Sequence, residues 1–326
     1  MSDLPTRIHI HEEGPREGFQ FEPNAVPTGR KIELIEALAQ TGLQELQIAS
    51  FVNPKRVPGW ADAEAVVTGV RKRPGVSYTV LWLNEQGFLR AAGMDGVTLK
   101  ASITSSASET FMKLNQNQDY SKNAEVQNAF MRLYREHEVA FVRGAVMATF
   151  GCNFEGNVGV SKVISTVERI QEIAAAHAVK LDNLTLADTM AWATPQSVKR
   201  VVGAVRDRWP EIPITLHLHD TRGLGIANAC AGLEMGVTSF DASVGGLGGC
   251  PFAGHRGAAG NVCTEDLVML CEEMGIATGV DLDRLIDAAL LAEEIVGHPL
   301  PGAVMHGRSL GQLRRKIGAT PPAASC

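Results

Sequence analysis

The chain reads as an α/β protein built on one (β/α)8 TIM barrel with a short C-terminal helical appendage. Three observations predict this. Short β-branched runs alternate with amphipathic helical stretches, eight such units fit into roughly 250 residues, and Gly or Pro separates them. Candidate strands fall at 8–11, 45–49, 77–83, 97–103, 142–149, 183–187, 214–219 and 239–244. Between them the helical spacing is clearest at Val163, Val167, Ile170 and Ala174, which share one helix face. Gly42, Gly75, Gly93 and Gly236 punctuate the units. Repeated βα units imply parallel strands, because each crossover returns the chain to the same edge. A doubly wound open sheet would give the same alternation, but eight units in this length fit a barrel better. No stretch reads as a linker. Residues 1–279 are therefore expected to form the catalytic barrel and 280–326 the appendage, helical over 282–296 and disordered over 320–325.

Composition narrows the function. Of 326 residues, 45% are apolar and 20% charged, the balance of a soluble globular protein. No segment approaches the roughly 18 unbroken apolar residues of a membrane span. The opening Met1-Ser2-Asp3-Leu4-Pro5 lacks a basic patch followed by an apolar run, so no signal peptide is expected. A formal net charge of −6 without a dense Lys/Arg stripe argues against nucleic acid. The cysteines are scattered at Cys152, Cys230, Cys250, Cys263, Cys271 and Cys326 with no CxxC, which fits a reducing cytoplasm. Most read as small buried apolar residues; Cys250 is the exception. A homo-oligomer without nucleic-acid or membrane partners is expected.

Three clusters carry the chemistry. In Leu216-His217-Leu218-His219-Asp220, strand alternation puts both histidines on one face and both leucines on the other. In a barrel the histidines would point inward near the C-terminal mouth, where active sites of this fold lie. Two imidazoles on one strand can occupy adjacent positions around a metal. Two core histidines satisfied by hydrogen bonds are the plainer alternative, and the polar Asp220-Thr221-Arg222-Gly223 that follows favours the ligand pair. The second cluster, Glu12-Glu13-Gly14-Pro15-Arg16-Glu17-Gly18, follows the first strand. It reads either as a charged turn or as a source of a metal carboxylate and a cation. The third, Val244-Gly245-Gly246-Leu247-Gly248-Gly249-Cys250-Pro251, lacks the GKS or GKT of a P-loop. Its glycines suit a mobile lid carrying Cys250, or an ordinary glycine-rich connection.

Taken together, these segments resemble the metal-dependent lyase family of 3-hydroxy-3-methylglutaryl-CoA lyase, to which isopropylmalate and homocitrate synthases are related. Gly14-Pro15-Arg16-Glu17-Gly18-Phe19-Gln20 is similar to the lyase motif GPRDGLQ. Ser50-Phe51-Val52-Asn53-Pro54-Lys55, Ser106-Ala107-Ser108-Glu109, Gly151-Cys152 and Asp188-Thr189 follow in family order. His217-Leu218-His219-Asp220-Thr221, Gly246-Leu247-Gly248-Gly249-Cys250-Pro251-Phe252 and Gly260-Asn261 complete the set. The resemblance runs from about Ile8 to Gly279 and favours the lyase branch. It implies a divalent metal, Mg²⁺ or Mn²⁺, held by Glu17, His217, His219 and Asn261. It further implies that Arg16 stabilises a developing enolate, that Cys250 is catalytic, and that Asp188 lies near the proton-transfer path. The implied substrate is an acyl-CoA: a 3-hydroxyacyl thioester cleaved to acetyl-CoA and a keto acid or ketone.

The sequence departs from the lyase pattern in three places. Glu17 stands where the lyases carry Asp, moving the carboxylate by about 1.5 Å. Gln47 stands where they carry Glu, which removes one charge beside Arg16. The segment Gly254-His255-Arg256-Gly257 is two residues longer, and His255 or Arg256 could reach a substrate carboxylate. Two alternatives stay open: a Claisen-type acyltransferase condensing acetyl-CoA with a 2-oxo acid, and a barrel that binds without turning over.

Overall fold

The computed structural model describes residues 4–22, 25–248 and 260–318. Eight strands carry the expected alternation: β1 (His9–Glu12), β2 (Glu45–Ser50), β3 (Ser77–Leu81), β4 (Ala101–Ser106), β5 (Val142–Met147), β6 (Asn183–Ala187), β7 (Ile214–His217) and β8 (Ser239–Ala242). Among the described residues, 5–22, 25–98, 241–248 and 260–318 form one compact unit, and Leu4 with 99–240 forms the other.

In the first unit β1, β2 and β3 run parallel in that order, with His11 opposite Glu45 and Gln47 opposite Thr79. Ile8 and Ile10 are buried on one face of β1, as alternation requires. The helix Thr28–Leu38 buries Leu34, Ile35 and Leu38 at i, i+1 and i+4. Full burial of each such side chain contributes about 1.5–3 kcal/mol. The helix Leu282–Val296 occupies the expected span. Asp281 caps its start by accepting from Arg284 N, and Gly297 ends it in the left-handed conformation that glycine tolerates without penalty. Arg314 grips Glu273 through two hydrogen bonds of 2.6 and 2.7 Å, tying the last helix, Leu310–Ile317, to the helix Thr264–Glu273. The expected disordered stretch 320–325 lies outside the described residues.

In the second unit β4, β5, β6 and β7 run parallel in that order, with Ala101 opposite Val142, Arg143 opposite Asn183, and Ala187 opposite His217. The helix Val160–Ala176 buries Val163, Val167, Ile170 and Ala174, the face its sequence spacing marks. Thr194 and Ser197 form a reciprocal capping box at the start of the helix Pro195–Arg208, with Pro195 at the first helical position. Most strand bounds differ from expectation, and two of the differences bear on the site. The fourth strand begins at Ala101 rather than 97, because Thr98 N already donates to Tyr78 O of β3. It continues to Ser106 through a run of buried polar residues that hydrophobic patterning cannot register. The seventh ends at His217, so His219 lies just past it.

Two buried carboxyl groups fasten the first unit. Glu12 accepts from Gly14 N at 2.8 Å, Val244 N at 2.9 Å and Thr264 Oγ1 at 2.5 Å, joining three segments far apart in sequence. Burial pushes its carboxyl up to about 7, against the lowering effect of those donors. Glu265 accepts from Gly245 N at 3.0 Å, and burial pushes it up to about 8. An acid raised in the folded state favours folding below its unfolded value and loses that contribution as pH climbs through its folded value. The urea midpoint should therefore fall between about pH 5 and 8, and Glu265→Gln, which cannot ionise, should fall less steeply. Parallel curves for the two proteins would show that Glu265 is not held protonated.

Candidate active site

The sequence turns from β1 into the helix Gly14–Phe21 within two residues, with Pro15 in the first helical turn. Both motif glycines mark close approaches. A Cβ at Gly14 would stand 2.5 Å from Glu12 Oε1, and one at Gly18 would stand 2.2 Å from Leu247 Cγ. This packing aims Arg16 and Glu17, both under a tenth exposed, toward the same side-chain cluster. Arg16 donates to Glu13 Oε2 at 2.7 Å, lies 3.1 Å from Glu17 Oε2, and makes a short hydrogen bond from Nε to Gln47 Oε1. Its backbone carbonyl accepts from Trp60 Nε1 at 2.9 Å. Trp60 is itself fully buried under Lys31, whose Nζ lies 4.6 Å from the ring centroid. The guanidinium is thus held by Glu13 and Gln47, and the backbone that carries it by Trp60.

Because an arginine can only donate, its bond to Gln47 orients the amide. Oε1 is committed to Arg16, and the NH2 group is left to donate elsewhere. Asn261, 1% exposed, donates from Nδ2 to Glu17 Oε2 at 3.3 Å. Its Oδ1 is buried and has no hydrogen-bond partner among the described residues. A buried carbonyl oxygen without a donor costs about 1–3 kcal/mol, so the site is incomplete without a group that this oxygen can bind.

The second unit supplies His217, His219 and Asp188. The Nε2 atoms of the two histidines stand 3.2 Å apart, while Leu216 and Leu218 are fully buried on the opposite face. Ligands at 2.0–2.1 Å in adjacent octahedral positions lie about 3.0 Å apart, so the pair has the spacing of two neighbours around one cation. Asp188 follows β6, whose last residue pairs with His217. Its backbone N–H donates to His217 O at 2.8 Å. Asp188 Oδ1 accepts from Trp192 N at 2.7 Å and Ala193 N at 3.0 Å. Oδ2 is buried with no hydrogen-bond partner among the described residues. Burial pushes this carboxyl up to about 7, opposed by its two backbone donors and then by His217 and Arg222. Arg222 pins the same loop by donating to the carbonyls of Met190 and Ala191, each at 2.9 Å.

The structure therefore brings Arg16, Glu17, Gln47 and Asn261 together in one unit, and Asp188, His217 and His219 together in the other. Cys250, His255 and Arg256 lie outside the described residues. Sequence reasoning missed Glu13 as the partner of Arg16, although the i, i+3 spacing on a helix start signals it. It also missed Glu12 and Trp60. Their partners lie up to 252 residues away, and nothing local announces them. The donor chemistry of both sets fits a divalent cation: an orphaned amide oxygen beside a carboxylate, and two converging imidazole nitrogens.

A solved hydroxymethylglutaryl-CoA lyase from Pseudomonas aeruginosa superposes with a TM-score of 0.86 at 34% identity, covering 95% of this chain and 99% of its own. An HMG-CoA lyase from Acinetobacter baumannii, solved with coenzyme A and 3-methylmalate, gives 0.82 at 38% identity, covering 95% and 96%. With these superpositions, the alternating strands and helices are those of a (β/α)8-barrel lyase. Residues 7–291 match the HMGL-like family, and the chain belongs to it. The mitochondrial hydroxymethylglutaryl-CoA lyase of Gallus gallus is 41% identical over 284 residues, covering 87% of this chain and 92% of its own. No described helix is long and apolar enough to cross a membrane.

Proposed function

We propose that this enzyme cleaves 3-hydroxy-3-methylglutaryl-CoA, or a closely similar 3-hydroxyacyl-CoA, to acetyl-CoA and a keto acid. The observation that carries the reading is the 3.2 Å pair of imidazole nitrogens at the end of β7, found in a chain 41% identical to a lyase of that name. Glu17, His217, His219 and Asn261 would hold the divalent cation, Mg²⁺ or Mn²⁺. When bound, it supplies Lewis-acid polarisation of substrate oxygens. Glu17 and Asn261 offer oxygen, which hard cations prefer, and the unsatisfied Asn261 Oδ1 is the atom such an ion would complete.

The remaining steps belong to the chain. Asp188 takes the proton of the 3-hydroxyl: one of its oxygens is fixed by backbone donors, the other is bare, and its proton affinity is near neutral. The hydroxyl oxygen becomes a ketone as the C2–C3 electron pair moves into the thioester enolate. Arg16 stabilises the negative oxygen that appears, with a guanidinium already immobilised by Glu13 and Gln47 and so needing little reorganisation. Cys250 then protonates the enolate carbon to give acetyl-CoA. Screening 3-hydroxyacyl-CoA thioesters with Mg²⁺ or Mn²⁺ for acetyl-CoA or propionyl-CoA release tests the reading. Release of free thiol from acetyl-CoA and a 2-oxo acid, without cleavage, would instead identify a condensing enzyme.

Gln47 and Glu17 set the preference among such thioesters. The Gln47 NH2 group can donate to a substrate oxygen that a glutamate would repel. Gln47→Glu together with Glu17→Asp should shift the ratio of kcat/KM toward 3-hydroxy-3-methylglutaryl-CoA and away from the best alternative found in the screen. A ratio that does not move would pass the selecting role to the longer segment bearing His255 and Arg256.

A further inference from the structure

The start of β1 holds a second constellation with metal-ligand chemistry. His9 and His11 project from the same face of the strand, opposite Ile8 and Ile10. The parallel register sets Glu45, the first residue of β2, directly beside His11. His9 Nε2 lies 3.3 Å from Glu45 Oε2, and His11 Nδ1 lies 3.6 Å from Glu45 Oε1. His11 Nδ1 is also 3.6 Å from Asp241 Oδ1 on β8. One nitrogen from each ring and an oxygen of Glu45 all lie within 4.8 Å of one another. The rings meet edge to face with centroids 4.6 Å apart.

Hydrogen bonding accounts for the His9–Glu45 contact but not for the spacing of His11 from Glu45. Imidazole–carboxylate hydrogen bonds run at about 2.7–3.2 Å, and a 3.6 Å separation falls outside that range. Four ligands held tetrahedrally at about 2.0–2.1 Å from a cation, however, lie about 3.3–3.4 Å from one another. The side chain of Glu45 is 8% exposed, so its carboxylate lies in a poorly solvated place against the two imidazoles. His9, with its side chain 38% exposed, leaves a path from solvent.

We propose that His9, His11 and Glu45 form a second divalent-cation site, fastening the start of β1 to β2. Two imidazoles and a carboxylate near tetrahedral spacing suit a borderline ion such as Zn²⁺ or Co²⁺. The site lies at the start of β1, whereas Arg16 lies on the helix that follows the strand. The proposal stands independently of the lyase reading.

The test uses the full chain and Co²⁺ as a spectroscopic probe, with excess Mg²⁺ present. A His217→Ala/His219→Ala double variant, which removes the other imidazole pair, should still bind one equivalent of Co²⁺ with the absorption bands of a nitrogen–oxygen site. Adding His9→Ala, or separately Glu45→Gln, should weaken that binding by more than roughly 100-fold, since loss of a direct ligand exceeds the usual cost of losing a supporting one. In the same double variant, Zn²⁺ should raise the melting temperature, because ligation favours the folded state, and adding His9→Ala should cancel the rise. The proposal is overturned if the double variant binds no Co²⁺, or if both His9→Ala and Glu45→Gln leave its affinity unchanged.

Discussion

His217→Ala or His219→Ala should leave a folded protein that neither retains a divalent cation nor turns over. The two Nε2 atoms converge to 3.2 Å at the end of β7, so each ring is half of one binding edge. Losing a group that merely supports a metal ligand typically costs 10–100-fold in affinity, and losing the ligand itself costs more. The fold should survive for a local reason. Leu216 and Leu218, which supply the packing of this segment, are fully buried on the other face and stay untouched. Metal content after dialysis, far-ultraviolet circular dichroism and acetyl-CoA release, measured on one preparation, separate the outcomes. Native turnover in either variant, or full activity of the native chain after exhaustive chelation, would remove the metal from the mechanism.

How much of this was legible in the sequence depended on the distance over which each feature is determined. His217 and His219 were visible because alternation with two leucines is a local pattern that the strand geometry must obey. The buried face of the helix Val160–Ala176 was visible for the same reason, with a period of 3.6 in place of 2. Strand bounds were less legible where polar residues line the sheet. Ser105 and Ser106 are buried at the end of β4, and no hydrophobic signal marks them as strand.

The supporting network was hidden altogether. Glu12 and Glu13 read as part of a charged turn, yet each is at most 3% exposed. Glu12 accepts from residues 232 and 252 positions away, and Glu13 is tied to Arg16 by a hydrogen bond that only the helical turn makes possible. The departures Glu17 and Gln47 were visible as letters, but their consequence was not. It takes the geometry to see that Gln47 spends its carbonyl oxygen on Arg16 and keeps its NH2 group for another partner.

Cys250→Ser should slow turnover by roughly 10²–10⁴-fold, the usual worth of a positioned general acid, while metal content stays at the native level. The expectation rests on thiol chemistry and on the motif Gly248-Gly249-Cys250-Pro251 shared in kind with the lyases. Protonating an enolate carbon needs an acid whose proton affinity lies near the working pH. A cysteine thiol, with an ordinary value near 8.5, meets that need. A serine hydroxyl is far weaker as an acid, although nearly the same size, so the substitution removes the proton and little else. The loss should fall on kcat with KM nearly unchanged, because the acid acts only after cleavage. Cys152, Cys263 and Cys271 are buried, and burial raises the partly covered Cys230 thiol further, so none is poised for the same role. Cys230→Ser therefore serves as the matched control and should keep native rates. If Cys250→Ser also keeps native rates, the enolate takes its proton from another group, with protonated Asp188, returning the hydroxyl proton it accepted, as the next candidate to test through Asp188→Asn.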